Sequence, residues 1–169
     1  MQKVFYNDTL RVYTNTDIKG VELCGALKNI IALAAGMSDG LGYGDNAKAA
    51  IITRGLNELT HLGETMGCEL KTFYGLTGIG DIVVTAGSKH SRNHNCGYLI
   101  GQGKSLDEAL KEVGMVVEGV NALKAAKRLE EKYQVELPII DVVYDILMNG
   151  ADVNNAIVSL FGRKQKSEI

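Results

Sequence analysis

The chain is poor in residues that break helices and in residues that build large sheets. Its 169 residues include one proline, no tryptophan, three phenylalanines and seven tyrosines. Proline interrupts helices and aromatic residues are enriched in strands, so their scarcity argues against a many-stranded sandwich and leaves long helical runs intact. With 46% hydrophobic and 22% charged residues, the composition fits one globular domain and excludes a disordered or collagen-like chain.

The chain also lacks a strong charge of either sign and an even set of cysteines. Eighteen Lys and Arg against twenty Asp and Glu give a formal charge of -2, which calls for neither nucleic acid nor an anionic membrane as partner. Cys24, Cys68 and Cys96 are widely spaced, which fits a reducing compartment. No apolar run approaches the roughly 18 residues of a membrane span, and no signal-peptide pattern is present. We therefore expect a soluble, cytoplasmic protein.

Helical spacing and capping residues recur along most of the chain. Alternation over 10–13 predicts a short strand or extended arm, and Asp17 begins a helix that reaches about Gly36. The 70–87 stretch predicts short helices, although 82–85 is also compatible with extended backbone. Further helices are predicted over 45–66, 91–101, 105–113, 118–133, 138–148 and 152–161. The expected fold is an all-α helical bundle over 16–162, with an arm over 1–15 and a frayed tail over 163–169.

Lys28 is the first charge that needs a chemical explanation. On the predicted helix its neighbours three and four residues away are Cys24, Gly25, Ile31 and Ala32, which are small or apolar. A lysine among such neighbours loses part of its hydration and is suited to proton transfer. The alternative is a lysine whose stem covers the core while its ammonium reaches water or a helix end.

Asp81 is the second isolated charge, because every other residue from Thr72 to Ser88 is apolar, glycine or neutral polar. A pairing with Lys28 would satisfy two desolvated charges at once. The alternative is a helix cap after Gly-Ile-Gly. The nearby glycines do not form a dinucleotide-binding fingerprint and indicate turns or close packing.

The third feature is the basic segment Ser88-Lys89-His90-Ser91-Arg92-Asn93-His94, within a stretch that has no carboxylate from Ile82 to Leu106. A helix that begins at Ser91 would bring backbone N–H groups, a hydroxyl, a guanidinium and an amide to one point, which suits a phosphate monoester. The alternative is a solvated basic turn. His90, His94 and Cys96 lack a fourth partner for zinc, so no metal site is predicted. Together the three features favour proton transfer on a small phosphorylated substrate, with any hydride supplied by a cofactor.

Five ordered blocks of sequence carry a family resemblance. They are Val21-Glu22-Leu23-Cys24-Gly25-Ala26-Leu27-Lys28-Asn29, Gly40 to Arg54, Gly78-Ile79-Gly80-Asp81, Ser91-Arg92-Asn93 and Val116-Val117-Glu118-Gly119. Over nearly its whole length the chain resembles the C-terminal, substrate-binding domain of bacterial-type NAD(P)-dependent glycerol-3-phosphate dehydrogenases. The fold that this implies is the helical bundle of the 6-phosphogluconate dehydrogenase C-terminal type.

The resemblance also implies roles for individual residues. Lys28 would be the catalytic acid and base at the keto oxygen of dihydroxyacetone phosphate. The substrate, glycerol 3-phosphate or dihydroxyacetone phosphate, would be held by Lys28, Asn29, Asp81, Ser91, Arg92 and Asn93. The cofactor, NAD or NADP, would contact Arg92, Val116 and Glu118.

The chain lacks the N-terminal part of the family's sequence pattern. Members begin with a dinucleotide-binding domain that carries Gly-x-Gly-x-x-Gly, whereas residues 11–15 resemble only the exit of that domain. We therefore expect an N-terminal dinucleotide-binding domain as partner, a chain that is inactive alone, and the homodimer that is frequent in the family. The product would feed glycerophospholipid synthesis. The competing hypothesis is a stand-alone helical interaction domain without catalysis.

Overall fold

The computed structural model describes residues 2–162, and every regular element in this range is helical. The α-helices are α1 (Gln2–Phe5), α2 (Ile18–Gly40), α3 (Asp45–Thr65), α4 (Leu70–Phe73), α5 (Asp81–Gly87), α6 (Arg92–Gly101), α7 (Leu106–Val113), α8 (Glu118–Tyr133), α9 (Pro138–Asn149) and α10 (Val153–Phe161), with one π-helical turn at Leu76–Gly80. The all-α prediction is confirmed, and the helical alternative holds for 70–87. The predicted tail over 163–169 lies outside the described residues.

Capping side chains set the starts of α2, α6, α7 and α10 as the sequence predicted. The carboxylate of Asp17 accepts a hydrogen bond from the Gly20 N–H, and the Ser91 hydroxyl accepts one from the His94 N–H. Ser105 and Glu108 form a reciprocal capping box at α7. Helix α3 begins at Asp45, where the sequence predicted its start, but the cap residue is Gly44 and Asp45 lies in the first helical turn. An acidic side chain in the first turn still interacts favourably with the helix dipole.

Helix α2 is the centre of the bundle and is four residues longer than predicted. Gly36 does not end it, because glycines here permit close approach to α6 rather than a turn. A Cβ added at Gly36 would overlap the His94 carbonyl oxygen, and one at Gly97 would overlap the Leu33 carbonyl oxygen. Residue numbers rise together along this contact, so α2 and α6 run parallel with their backbones almost touching.

The length and apolar composition of α2 would by themselves suffice to cross a membrane. The expectation that no apolar run approaches that length therefore does not hold. In the structure 72% of its most apolar 18-residue window is buried inside the molecule. The apolar side chains of α2 contact α3, α5, α6, α8 and α9, as in the core helix of a soluble domain.

The N-terminal arm differs from one of its two predicted forms. Residues 10–13 form no strand, and 2–5 form a short helix whose side chains are all exposed. A strand needs a neighbour for its ladder hydrogen bonds, and no described segment lies beside the arm as such a partner. Outside its short helix the arm is therefore irregular, with a bend at 8–9, and it forms no strand pairing within residues 2–162.

Charged side chains hold α8 and α3 against α9. Lys127 on α8 pairs with Glu130 and with Asp141, and its ammonium lies 6.0 Å from the centre of the Tyr144 ring. Burial opposes the charged form, but the hydrogen bonds that the ammonium donates to Asp141 and Glu130 outweigh this effect and raise the pKa of Lys127. The buried carboxylate of Glu58 on α3 accepts the Ile139 N–H at 2.8 Å and so caps α9.

Candidate functional site

A cleft of about 340 Å³ opens where α2, α5, α6 and the start of α8 meet. This volume lies at the small end of the range for small-molecule sites. The parallel contact of α2 and α6 creates the cleft, because it brings the middle of α2 level with the first turn of α6. Its walls carry Lys28, Asn29, Val84, Thr85, Ser88, His90, Ser91, Arg92, Asn93 and Glu118.

Lys28 forms an ion pair with Asp81 at the edge of this cleft. The side chains are 19% and 37% exposed, so the Lys28 ammonium lies against a carboxylate at a helix end and does not extend into open water, which was one of the two positions in the alternative interpretation. The second carboxylate oxygen of Asp81 accepts a hydrogen bond from the Thr85 hydroxyl at 3.2 Å. Within the ion pair the Lys28 side chain is an ammonium, which is the form that can donate a proton to a carbonyl oxygen. The Thr85 hydroxyl holds the Asp81 carboxylate in its orientation.

The π-helical turn at Leu76–Gly80 places Asp81 so that its carboxylate contacts the Lys28 ammonium. A Cβ at Gly78 would overlap the Phe73 carbonyl oxygen, so only glycine permits this tight return of the chain. Asp81 is the first residue of α5. Its carboxylate accepts from Lys28 of α2 and from the Thr85 hydroxyl, and among the described residues no backbone N–H of α5 donates to it, so it does not cap its own helix. Irregular turns of this kind are frequent at functional sites.

The first turn of α6 forms the opposite wall. Ser91 caps the helix, and the backbone N–H groups of Arg92 and Asn93 follow at a helix start, where no preceding turn supplies acceptors. Arg92 adds a guanidinium that is 40% exposed. Positive charge, helix N-terminus and hydroxyl thus share one place, as predicted for an anion site.

Two buried amides tie the walls of the cleft together. Asn93 donates to the Asn29 side-chain oxygen at 2.9 Å, and the Gly119 N–H donates to the Asn93 oxygen at 2.8 Å. Asn29 donates to the Gly25 carbonyl at 3.0 Å and to the Glu118 carboxylate at 3.4 Å. This network joins α2, α6 and α8 and fixes the shape of the cleft floor.

Glu118 faces Arg92 across the mouth of the cleft, with 3.7 Å between a guanidinium nitrogen and a carboxylate oxygen. The carboxylate is 60% exposed, so this pair is solvated and open to exchange with a ligand. Val116, grouped with these two residues by the family resemblance, lies outside the cleft lining and is 62% exposed. Its assignment as a cofactor contact stays a prediction.

The three residues considered as zinc ligands, His90, His94 and Cys96, do not come together in the structure. His90 is exposed in the turn, His94 is buried against Asp39, and Cys96 faces the core. Among residues 2–162 no group of three or more potential metal ligands comes together. Burial raises the pKa of Cys24 to about 12 and that of Cys96 to about 11, so both thiols stay protonated and pack as small apolar groups.

Thr85 is the site residue that sequence reasoning missed. It lies four residues after Asp81, a spacing that places both side chains on one face of a helix. That signal depended on assigning 81–87 to a helix, and 82–85 was also compatible with extended backbone. The structure resolves the ambiguity and reveals the contact.

The comparisons with known proteins point to the same family as the site. Residues 17–158 match the family model described as NAD-dependent glycerol-3-phosphate dehydrogenase C-terminus. The chain is 59% identical over its full length to glycerol-3-phosphate dehydrogenase [NAD(P)+] of Bacillus mycoides and to that of Bacillus cereus. It spans about half the length of these relatives, since the match covers 50% of each.

Solved structures agree with the sequence matches. The glycerol-3-phosphate dehydrogenase of Coxiella burnetii superposes with a TM-score of 0.93 at 40% identity, over 96% of this chain and 50% of the other. The enzyme of Saccharomyces cerevisiae superposes with a TM-score of 0.83 at 30% identity, over 92% and 46%. The helical bundle is thus the fold of one half of these enzymes. The chain belongs to the glycerol-3-phosphate dehydrogenase C-terminal domain family.

Proposed function

We propose that the chain is the catalytic, substrate-binding half of an NAD(P)-dependent glycerol-3-phosphate dehydrogenase. The observation that carries this proposal is the Lys28–Asp81 ion pair at one wall of a cleft whose opposite wall holds Arg92 and the start of α6. A proton donor and an anion site on opposite walls suit a small ketone that carries a phosphate.

In the reduction of dihydroxyacetone phosphate, Lys28 donates a proton from Nζ to the keto oxygen. The positive ammonium also stabilises the negative charge that develops on that oxygen. Asp81 orients the amine, and its hydrogen bond with Thr85 restricts its own rotation. In the reverse direction the amine accepts the hydroxyl proton of glycerol 3-phosphate.

The phosphate is bound by Ser91, Arg92 and the backbone N–H groups at the start of α6. A phosphate dianion would attract the guanidinium away from the solvated contact with Glu118, since a charge-assisted bidentate interaction is the stronger of the two. Asn29 and Asn93 complete the substrate site from its floor, where their mutual hydrogen bond keeps them in place. Binding at the phosphate fixes the position of the keto group relative to Lys28.

The nicotinamide cofactor supplies the hydride when it is bound. The exposed polar groups of Arg92 and Glu118 at the cleft mouth fit a polar nicotinamide edge, and with Val116 they are the residues proposed to hold it. The remainder of NAD or NADP would be held by an N-terminal dinucleotide-binding domain. The half-length match to the relatives supports that division.

The wider setting of this activity is part of the same proposal. Cytoplasmic location and a homodimer would suit a metabolic enzyme with free thiols. Its product, glycerol 3-phosphate, is the backbone from which glycerophospholipids are assembled.

The test joins the chain to the dinucleotide-binding domain of the Bacillus mycoides relative. The chimera should oxidise NADH or NADPH when dihydroxyacetone phosphate is added and respond far less to unphosphorylated dihydroxyacetone. A folded chimera that binds cofactor and does not reduce the phosphorylated ketone would contradict the proposal. The chain alone gives a second measurement, because glycerol 3-phosphate should shift the backbone NMR signals of Ser91, Arg92 and Asn93.

A further inference from the structure

His94 is a buried polar residue outside the cleft lining, and no role has so far been given to it. Its side chain is 6% exposed, and its Nε2 lies 2.9 Å from a carboxylate oxygen of Asp39. The same oxygen accepts from the Lys48 ammonium at 2.7 Å. Burying a polar ring and a carboxylate costs desolvation free energy, which the hydrogen bond between them offsets.

The contact joins three helix ends. Asp39 is in the last turn of α2, Lys48 is in the first turn of α3, and His94 is in the first turn of α6. The other charged group close to this cluster is Asp45, whose exposed carboxylate lies 3.7 Å from Lys48. One carboxylate oxygen thus fastens α6 to both other helices.

His94 is also part of the turn that forms the anion site. Its backbone N–H donates to the Ser91 hydroxyl, and its carbonyl oxygen packs against Gly36 of α2. Arg92 and Asn93 lie between Ser91 and His94, so the backbone N–H groups facing the cleft are clamped at both sides. A rotation of the His94 side chain would remove one of the contacts that hold this turn to α2, beside the Asn93–Asn29 hydrogen bond and the packing at Gly36.

We propose that His94, held by Asp39 and Lys48, is a positioning residue for phosphate binding in the cleft. It acts through the backbone of the first turn of α6 and does not touch the substrate. The inference rests on the proposed phosphate-binding function of that turn.

Two substitutions test the contact. His94→Leu fills the same space without a hydrogen-bond donor, whereas His94→Gln places an amide nitrogen near the position of Nε2. We expect His94→Leu to raise the Kd of the chain for glycerol 3-phosphate about tenfold, because the first turn of α6 would then have to be ordered against α2 when the ligand binds. His94→Gln should restore most of the affinity. NMR titration of the 169-residue chain measures all three values.

The control separates positioning from general loss of stability. Ser105→Ala removes the cap of α7, beyond the opposite end of α6, and costs roughly 1 kcal/mol of folding free energy. It should leave the Kd unchanged. In the absence of ligand, amide hydrogen exchange at residues 92–95 should quicken in His94→Leu and not in Ser105→Ala.

The outcomes distinguish this inference from the function on which it depends. A wild-type chain that binds glycerol 3-phosphate while His94→Leu binds equally well would overturn the positioning role alone. Equal loss of affinity in His94→Leu and Ser105→Ala would do the same. A folded wild-type chain with no response to glycerol 3-phosphate or inorganic phosphate would overturn both proposals.

Discussion

Lys28 and Lys127 are both paired with carboxylates, and the difference between their surroundings separates a candidate catalytic charge from a structural one. Lys127 is held by Glu130 and Asp141 and lies beside the Tyr144 ring, on the side where α8 meets α9. Lys28 is held by Asp81 and lies in a cleft opposite Arg92. Each ammonium has three donors. Those of Lys127 serve two carboxylates, whereas within residues 2–162 the Lys28 ammonium has one carboxylate partner, Asp81, and the side chain lines the cleft.

The surroundings, and not the ion pair itself, therefore separate a structural lysine from a candidate proton donor. Lys127 connects two helices of the folded chain and has no anion site beside it in the described structure. Lys28 shares its cleft with a helix N-terminus and a guanidinium.

Removing each lysine in the chimeric enzyme gives the sharpest contrast. Lys28→Ala should reduce kcat by about 10²- to 10⁴-fold, the usual cost of losing a general acid. Lys127→Ala should leave kcat close to that of the parent, because it lies outside the cleft. Steady-state kinetics with dihydroxyacetone phosphate measure both values. Comparable losses in the two variants would refute the distinction between them.

Arg92→Ala should act on binding more than on the chemical step. In the proposed site the guanidinium would contact the phosphate in both ground and transition states, so KM for dihydroxyacetone phosphate should rise roughly 10- to 100-fold with a smaller change in kcat. Kinetics at saturating cofactor isolate this effect, because Arg92 is also a proposed cofactor contact. An unchanged KM would remove Arg92 from the phosphate site.

Two glycines of α2 test whether the cleft depends on close helix approach. Gly36→Ala would force α2 away from the His94 carbonyl and should cost about 1–3 kcal/mol of unfolding free energy. At Gly25 an added methyl group meets nothing within 4 Å, so Gly25→Ala should stabilise the chain by about 0.5–1 kcal/mol. Urea unfolding measures both changes. A Gly36→Ala variant as stable as Gly25→Ala would contradict the packing described for α2 and α6.

The smallest effect is expected at Lys127. Its folded-state pKa is raised above 10.5, so its stabilising contribution is complete below the unfolded-state pKa and is lost as pH rises through the folded-state value. Lys127→Met should lower the unfolding free energy by about 0.5–1 kcal/mol at pH 8, and the difference from wild type should shrink in strongly alkaline solution. Chemical unfolding at several pH values checks the trend. A difference that grows with pH would contradict the sign.

Local sequence signals were sufficient for most of the helix boundaries. Asp17, Ser91, Ser105 and Asp152 each cap the helix predicted from them, and Gly67, Gly114 and Gly150 adopt the left-handed backbone that ends a helix. These signals act within one turn of the chain, so neighbours in sequence carry them. The exception at Gly36 arose because a glycine that permits close packing looks the same in sequence as one that ends a helix.

The sequence by itself determined the helical class, the order of the helices and the unusual placement of Lys28, Asp81 and the segment around Arg92. Only the tertiary structure decided that these three meet, because 53 residues separate Lys28 from Asp81 and the parallel contact of α2 with α6 depends on backbone geometry. It also decided that Thr85 supports Asp81 and that Asp39 anchors His94. Periodicity and capping are local properties, whereas the cleft arises from long-range packing that no single segment encodes.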